Sequence, residues 1–272
     1  MSARHLLALL VGAVVVALPA GAVERKLPFL PGEKLLYDVS WSHFLTAGVG
    51  EISVSEGKPV DGRSTYDIEM IGRSIGFVDA LYTVRDVTRG SLDIERMRGV
   101  ESVIHIHENT YRKVKRIRFD REKSVAMYRI DDDPEEEFPI KPDTQGPIST
   151  LFVVRTMRDR LTPGATFSIS LFDDKILYDL QLKVLRKETL DIEAGKVDTI
   201  VVEADLKTEG VFRRRGKLVV WFSDDEAMAP VQMRSKLVIG SFFVTLRRWV
   251  NAPIKVTLHD NETQRAPGSA DR

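Results

Sequence analysis

Two histidines two residues apart, His105 and His107, are the first residues whose spacing could do chemistry. On a strand such positions point to one face, which Glu101 and Val103 share. A zinc centre needs three or four nitrogen, sulfur or oxygen donors. Val103 has none, Glu101 stands far along the strand, and His43 is the one further histidine inside residues 23–255. The pair therefore reads as ordinary exposed strand histidines. The carboxylates Asp224, Asp225 and Glu226 lack the alternating ligands and glycine bend of an EF-hand loop and read as a solvated turn. Asp131 to Glu137 (DDDPEEE) reads as a solvated charged loop, in which Pro134 forbids a regular element.

Nucleophilic chemistry finds no local motif. The chain has no Gly-x-Ser-x-Gly elbow, no Ser-x-x-Lys and no His-Glu-x-x-His. With no cysteine, thiolate catalysis and Cys-based zinc sites are excluded. No catalytic residue, metal ligand or cofactor is assigned, and only a triad assembled from distant positions stays open. The aromatics Tyr37, Trp41, Phe152 and Trp221 read first as packing. As a platform for an apolar ligand, they are the candidates. Arg213-Arg214-Arg215 with Arg247-Arg248 could form a basic patch, but reads as a hairpin shoulder that keeps a sheet edge soluble.

The elements that would position these residues are strands. From Gly216 to Trp249 the sequence reads as three antiparallel strands. Leu218, Val220 and Phe222 alternate with a second face, and Phe242, Val244 and Leu246 share another. Val219 and Trp221 make the second face of the first strand apolar, so it is expected to be covered on both sides. Gly240-Ser241 suits a type II′ hairpin turn. Leu35, Tyr37, Val39 and Trp41 define a strand with one wet face, and Gly48 and Gly50 mark a bend. Further strands are expected over residues 64–71, 81–92, 100–107, 112–119 and 125–130, and hairpins over 166–184 and 188–204, a meander of antiparallel type. A short helical turn fits residues 72–80. The one longer helix spans about 147–161: Asp143 or Thr144 caps it, Pro147 opens it and Pro163-Gly164 stops it. Ile148, Leu151, Phe152 and Arg155 share a stripe wide enough to bury the helix against a sheet. The fold expected is mainly β, an antiparallel curved sheet or open half-barrel wrapped around one buried helix.

The bulk numbers fit an exported protein. Residues 1–22 hold Arg4, the apolar run Leu6 to Leu18 and Ala20-Gly21-Ala22, the form of a signal peptide cut after Ala22. Residues 23–255 then form one antiparallel β domain, and 256–272 a disordered polar tail. The 40 basic and 40 acidic residues balance, which argues against a nucleic-acid partner. No later stretch is apolar enough to span a membrane, so the periplasm is the expected compartment.

Three stretches carry a family resemblance: Gly32-Glu33-Lys34-Leu35-Leu36-Tyr37-Asp38-Val39-Ser40-Trp41, Gly146-Pro147-Ile148-Ser149-Thr150-Leu151, and Trp221-Phe222-Ser223-Asp224-Asp225 with Pro230-Val231. Over Phe29 to Val250 the chain resembles the domain of unknown function 3108, a family of exported, mostly β bacterial proteins. The resemblance implies strands around a helix, similar to the half-barrels of periplasmic lipoprotein carriers, and supplies no catalytic residues. The family's usual Asp before the helix-opening proline is Gly146 here.

The expected function is a non-catalytic periplasmic module that holds an apolar ligand or envelope component: a lipid, a lipoprotein or another envelope protein. The alternatives are a structural or assembly factor that binds another envelope protein, and a hydrolase with a dispersed site. Zinc titrated into the mature protein is expected to give no heat of binding in a calorimeter; a stoichiometric heat would establish the histidine site.

Overall fold

The computed structural model describes residues 26–42, 45–207, 217–236 and 241–259. Residues 1–25, where the sequence predicts a signal peptide, together with His43, Arg213 to Arg215, residues 237–240 and the expected tail at 260–272, lie outside them. Period-two alternation produces the strands β1 (Lys34–Trp41), β2 (Leu45–Glu56), β3 (Thr65–Ser74), β4 (Arg85–Asp93), β5 (Arg98–Glu108), β6 (Tyr111–Asp120), β7 (Val125–Ile130) and β8 (Glu136–Pro139). After a helix come β9 (Thr166–Asp173), β10 (Ile176–Ile192), β11 (Gly195–Lys207), β12 (Leu218–Ser223), β13 (Pro230–Lys236) and β14 (Ser241–Val250). Among the described residues the fourteen form one antiparallel sheet in which strands consecutive in sequence pair, save β8 and β9, and β1 also pairs with β14. The edges are β8 and β9.

The two edges meet through side chains. The Phe138 and Phe172 rings lie 5.5 Å apart, the Tyr128 hydroxyl donates to Asp174 at 3.0 Å, and Lys175 pairs with Glu136 at 2.5 Å. Gln145 pairs in parallel with Leu171, so the chain entering the helix adds a short rung to β9. The sheet is thus rolled almost to closure.

The helix α2 (Pro147–Arg155) is shorter than its expected 147–161 span. It stops at Thr156, and a separate 3-10 turn follows at Arg158–Arg160. Its cap is Gly146, not Asp143 or Thr144: the Ser149 hydroxyl accepts the Gly146 N–H at 3.0 Å. Thr144 is used elsewhere, accepting Lys141 N–H and bonding Ser170. Ile148, Phe152, Val153 and Val154 are buried, and α2 packs on β4, β5 and β9. Gly90 on β4 makes room for it, since a Cβ there would come within 2.5 Å of Ile148.

Other local expectations change with the structure. Gly48 and Gly50 lie inside the continuous strand β2, whose pairing with β1 slips by one residue at Ala47, beside Gly48. The hairpin over 188–204 is present, but its first arm, residues 188–192, is the end of β10, a single long strand with a bulge between Val184 and Arg186, so the two expected hairpins share one strand. Glu136 and Glu137 of the acidic run belong to β8, because Pro134 stops regular structure only before them.

At the end of α2, Arg155 is fully buried. It makes a two-pronged ion pair with Glu33, 2.6 and 2.8 Å, and donates to the carbonyls of Ala227 (2.9 Å) and Pro28 (3.1 Å). Its guanidinium lies 5.0 Å from the Phe29 ring centre and 5.2 Å from that of Phe152. Removing one member of a buried pair leaves the other charge without compensation. Arg155→Ala is expected to destabilise the fold by roughly 3–5 kcal/mol in urea unfolding. Replacing Arg155 and Glu33 together by methionine should recover much of that loss.

Candidate apolar binding site

Because the strands alternate in direction, their ends gather at two rims. One rim holds the Glu33 end of β1 and α2. The other holds the β1–β2, β3–β4 and β5–β6 connections and opens into a cleft of ≈ 340 Å³. Tyr37, Val39, Ile52, Met70, Met233, Phe242 and Val244 give it apolar walls. Its floor is a row across four strands: Tyr37 pairs with Gly50, Gly50 with Gly72, and Gly72 with Asp86. Paired residues of adjacent strands share a face, so two bare glycines lie side by side between a phenol ring and a carboxylate. A Cβ on Gly72 would meet nothing within 4 Å. Glycine inside a strand weakens it and often marks close approach by a ligand or another backbone.

The walls are held from below. The Tyr37 hydroxyl donates to the Pro230 carbonyl at 2.9 Å, and burial pushes its pKa far up, so it stays a donor. Asp86 accepts the His107 N–H at 2.8 Å. Burial raises the Asp86 pKa, and Glu108 adds to the rise, against the opposing His107 N–H bond.

At the mouth, Trp41 is 40% exposed and stacks on Phe242 with centroids 6.4 Å apart. The short helix α1 (Gly76–Leu81), in the region expected to turn, buries none of its residues. Phe77 is 70% and Leu81 67% exposed, and Leu45, Tyr82 and Tyr111 are exposed at the same rim. The Asp79 carboxylate anchors α1 by accepting two bonds from Arg85 (2.7 and 2.9 Å) and one from Ser74 (2.6 Å).

The four aromatic candidates are not one cluster. Tyr37 lines the cleft and Trp41 stands at its mouth. Phe152 is wholly buried in the core, edge-on to Phe29 at 4.7 Å. Trp221 faces the other side of the sheet, packed with Val201 and Val219 and donating to Glu188 at 2.6 Å. That second face of β12 is covered by Leu185, Leu190 and Arg234, not by another layer. Sequence reading missed Gly50, Gly72 and Asp86. Strand-interior glycines were the available signal.

The remaining chemistry-bearing residues are engaged elsewhere. His105 lines an outer groove with Glu101, Asp67, Glu69 and Arg89, where Glu69 pairs with Arg89 and Asp67 accepts from Ser91. Among the described residues no group of three or more His, Asp or Glu could hold a metal. The Asp224 turn is less wet than expected: Asp225 is buried and accepts from Ser223, Ala227 N–H and Lys255 N–H, while Asp224 pairs with Lys187 and Arg158. Arg247 pairs with Asp38. No helix among the described residues is long and apolar enough to cross a membrane.

A rolled antiparallel sheet with an apolar interior open at one rim defines a β-barrel-like protein. The sequence matches the family described as "Protein of unknown function (DUF3108)" over residues 36–247, and the chain belongs to that family. Its fold is similar to a β-barrel-like protein of domain of unknown function DUF1849 from Brucella abortus, with a TM-score of 0.56 at 11% identity over 80% of this chain and 96% of that one. A DUF1089 family protein from Pseudomonas aeruginosa aligns at 14% identity over 66% of this chain and 87% of that one, with a TM-score of only 0.36. No curated protein matches the sequence.

Asp79 supplies a pH test. The Arg85 bonds, and then the Ser74 bond, hold its carboxyl at about 2, below the ordinary value of 3.8. A depressed carboxylate stabilises above its unfolded value and loses that contribution as pH falls through the folded one. Amide exchange over residues 75–84, corrected for intrinsic rates, should therefore show protection at pH 4 that is lost near pH 2.

Proposed function

We propose that this protein is a non-catalytic holder of an apolar ligand, such as the chain of a lipid or of a lipoprotein, in the bacterial periplasm. The observation that carries the reading is the open cleft above the Gly50–Gly72 floor. Its ≈ 340 Å³ falls in the range of small-molecule sites, and its walls are mostly apolar. The packing of α2 on β4, β5 and β9 toward the opposite rim supports the same reading. The signal-like residues 1–22 support export.

A second reading, an assembly factor that docks on another envelope protein, is favoured by the exposed Phe77, Leu81 and Tyr111 at the rim. The two separate by experiment. Native mass spectrometry of the mature protein from envelope extracts should show a bound apolar molecule. Gly72→Phe, which fills the cleft from an unstrained strand position, should lower retention of that molecule about tenfold or more, a loss of roughly 1.4 kcal/mol. If wild type and Gly72→Phe are equally empty, and crosslinking at residue 77 captures an envelope protein, the assembly reading replaces the first.

A further inference from the structure

Among the described residues the cleft has one inward carboxylate, and no lysine or arginine forms an ion pair with it. Asp86 ends the row that runs from Tyr37 over Gly50 and Gly72. An ionised carboxylate offers about four acceptor positions, and Asp86 uses one, on the His107 N–H. Asparagine could accept that bond equally well, so the fold does not explain the charge. The nearest arginines by register, Arg73 and Arg85, fall on the strand positions that point to the other face. Arg85 is taken by Asp79. Glu108 lies close enough to add negative potential, which the neighbouring His107 offsets in part. The site is therefore apolar along its length and negative at one end.

We propose that the ligand is a single-chain amphiphile with a cationic, hydrogen-bond-donating head, a long-chain amine in chemical class. Its chain lies along the glycine row and its head rests on Asp86. This rests on the apolar-ligand reading above and narrows it. From Asp86 to Tyr37 is three strand spacings, about 14 Å, a length an extended acyl or alkyl chain can span. A cation at Asp86 would supply the charge partner that no described lysine or arginine provides. An anionic head would meet Asp86 and Glu108 as like charges, the kind of repulsion that rejects a wrong partner.

The test uses the full mature chain near pH 7.5, with the apolar fluorophore N-phenyl-1-naphthylamine as reporter. Dodecylamine and laurate, with chains of equal length, compete for it. Dodecylamine is expected to displace the reporter at about one-tenth the concentration that laurate needs. Asp86→Asn should bring the two to within about twofold, and Asp86→Glu should keep the preference. Equal competition by the two ligands on the wild type, which needs no variant to fold, overturns the inference and leaves apolar binding standing. So does a preference that persists in a folded Asp86→Asn. Failure of the wild type to bind the reporter or either chain overturns both.

Discussion

The buried Arg155–Glu33 pair is the constraint on which the rest of the structure depends. A guanidinium with no access to water must find acceptors within the protein. It finds them on two stretches far apart in sequence: Pro28 and Glu33 in the lead to β1, and Ala227 in the β12–β13 turn. These lie within or beside the same stretches that carry the family resemblance, with the helix opened at Gly146-Pro147 delivering Arg155 itself. Asp225, which accepts the Ala227 N–H, shapes the turn that offers the Ala227 carbonyl to Arg155. Pro230, after that turn, offers its carbonyl to Tyr37. The pair thus closes one rim and, through Tyr37, sets the floor of the cleft above it.

The space above that floor follows from what the strands omit. Neighbouring rows toward α2 are filled by Leu35, Ile52 and Met70, paired across β1, β2 and β3. One row up, Gly50 and Gly72 stand in the equivalent places, and the packing stops. A strand gives up side-chain contacts wherever it carries glycine, so the core that α2 completes stabilises a region that contributes little to its own stability.

Much of the fold was legible because alternation is local. Leu35, Tyr37 and Val39 declare an inner face without reference to any other strand, and the hairpins follow from the turns between such runs. Arg155 falls on the same helical stripe as Ile148 and Phe152, which marks it as inward. Its partner Glu33 lies 122 residues away and shows nothing unusual in its own neighbourhood. The site was harder to see because it is defined by register. Gly50, Gly72 and Asp86 are unremarkable alone and meaningful only when β2, β3 and β4 are aligned. Trp221 illustrates the reverse error: an aromatic in a strongly patterned strand, but one residue out of phase with the inner face.

The side-chain join between β8 and β9 has a mechanical corollary. When backbone bonds run unbroken round a barrel, strand number and stagger fix its girth. Here β8 and β9 share no ladder: the junction is made by the Phe138 and Phe172 rings, by Tyr128 and Lys115 on Asp174, and by Lys175 on Glu136, side chains whose torsions can rotate without breaking a strand pairing. The circumference is a clasp in place of a hoop: its closing contacts can shift without any pair of neighbouring strands losing its register.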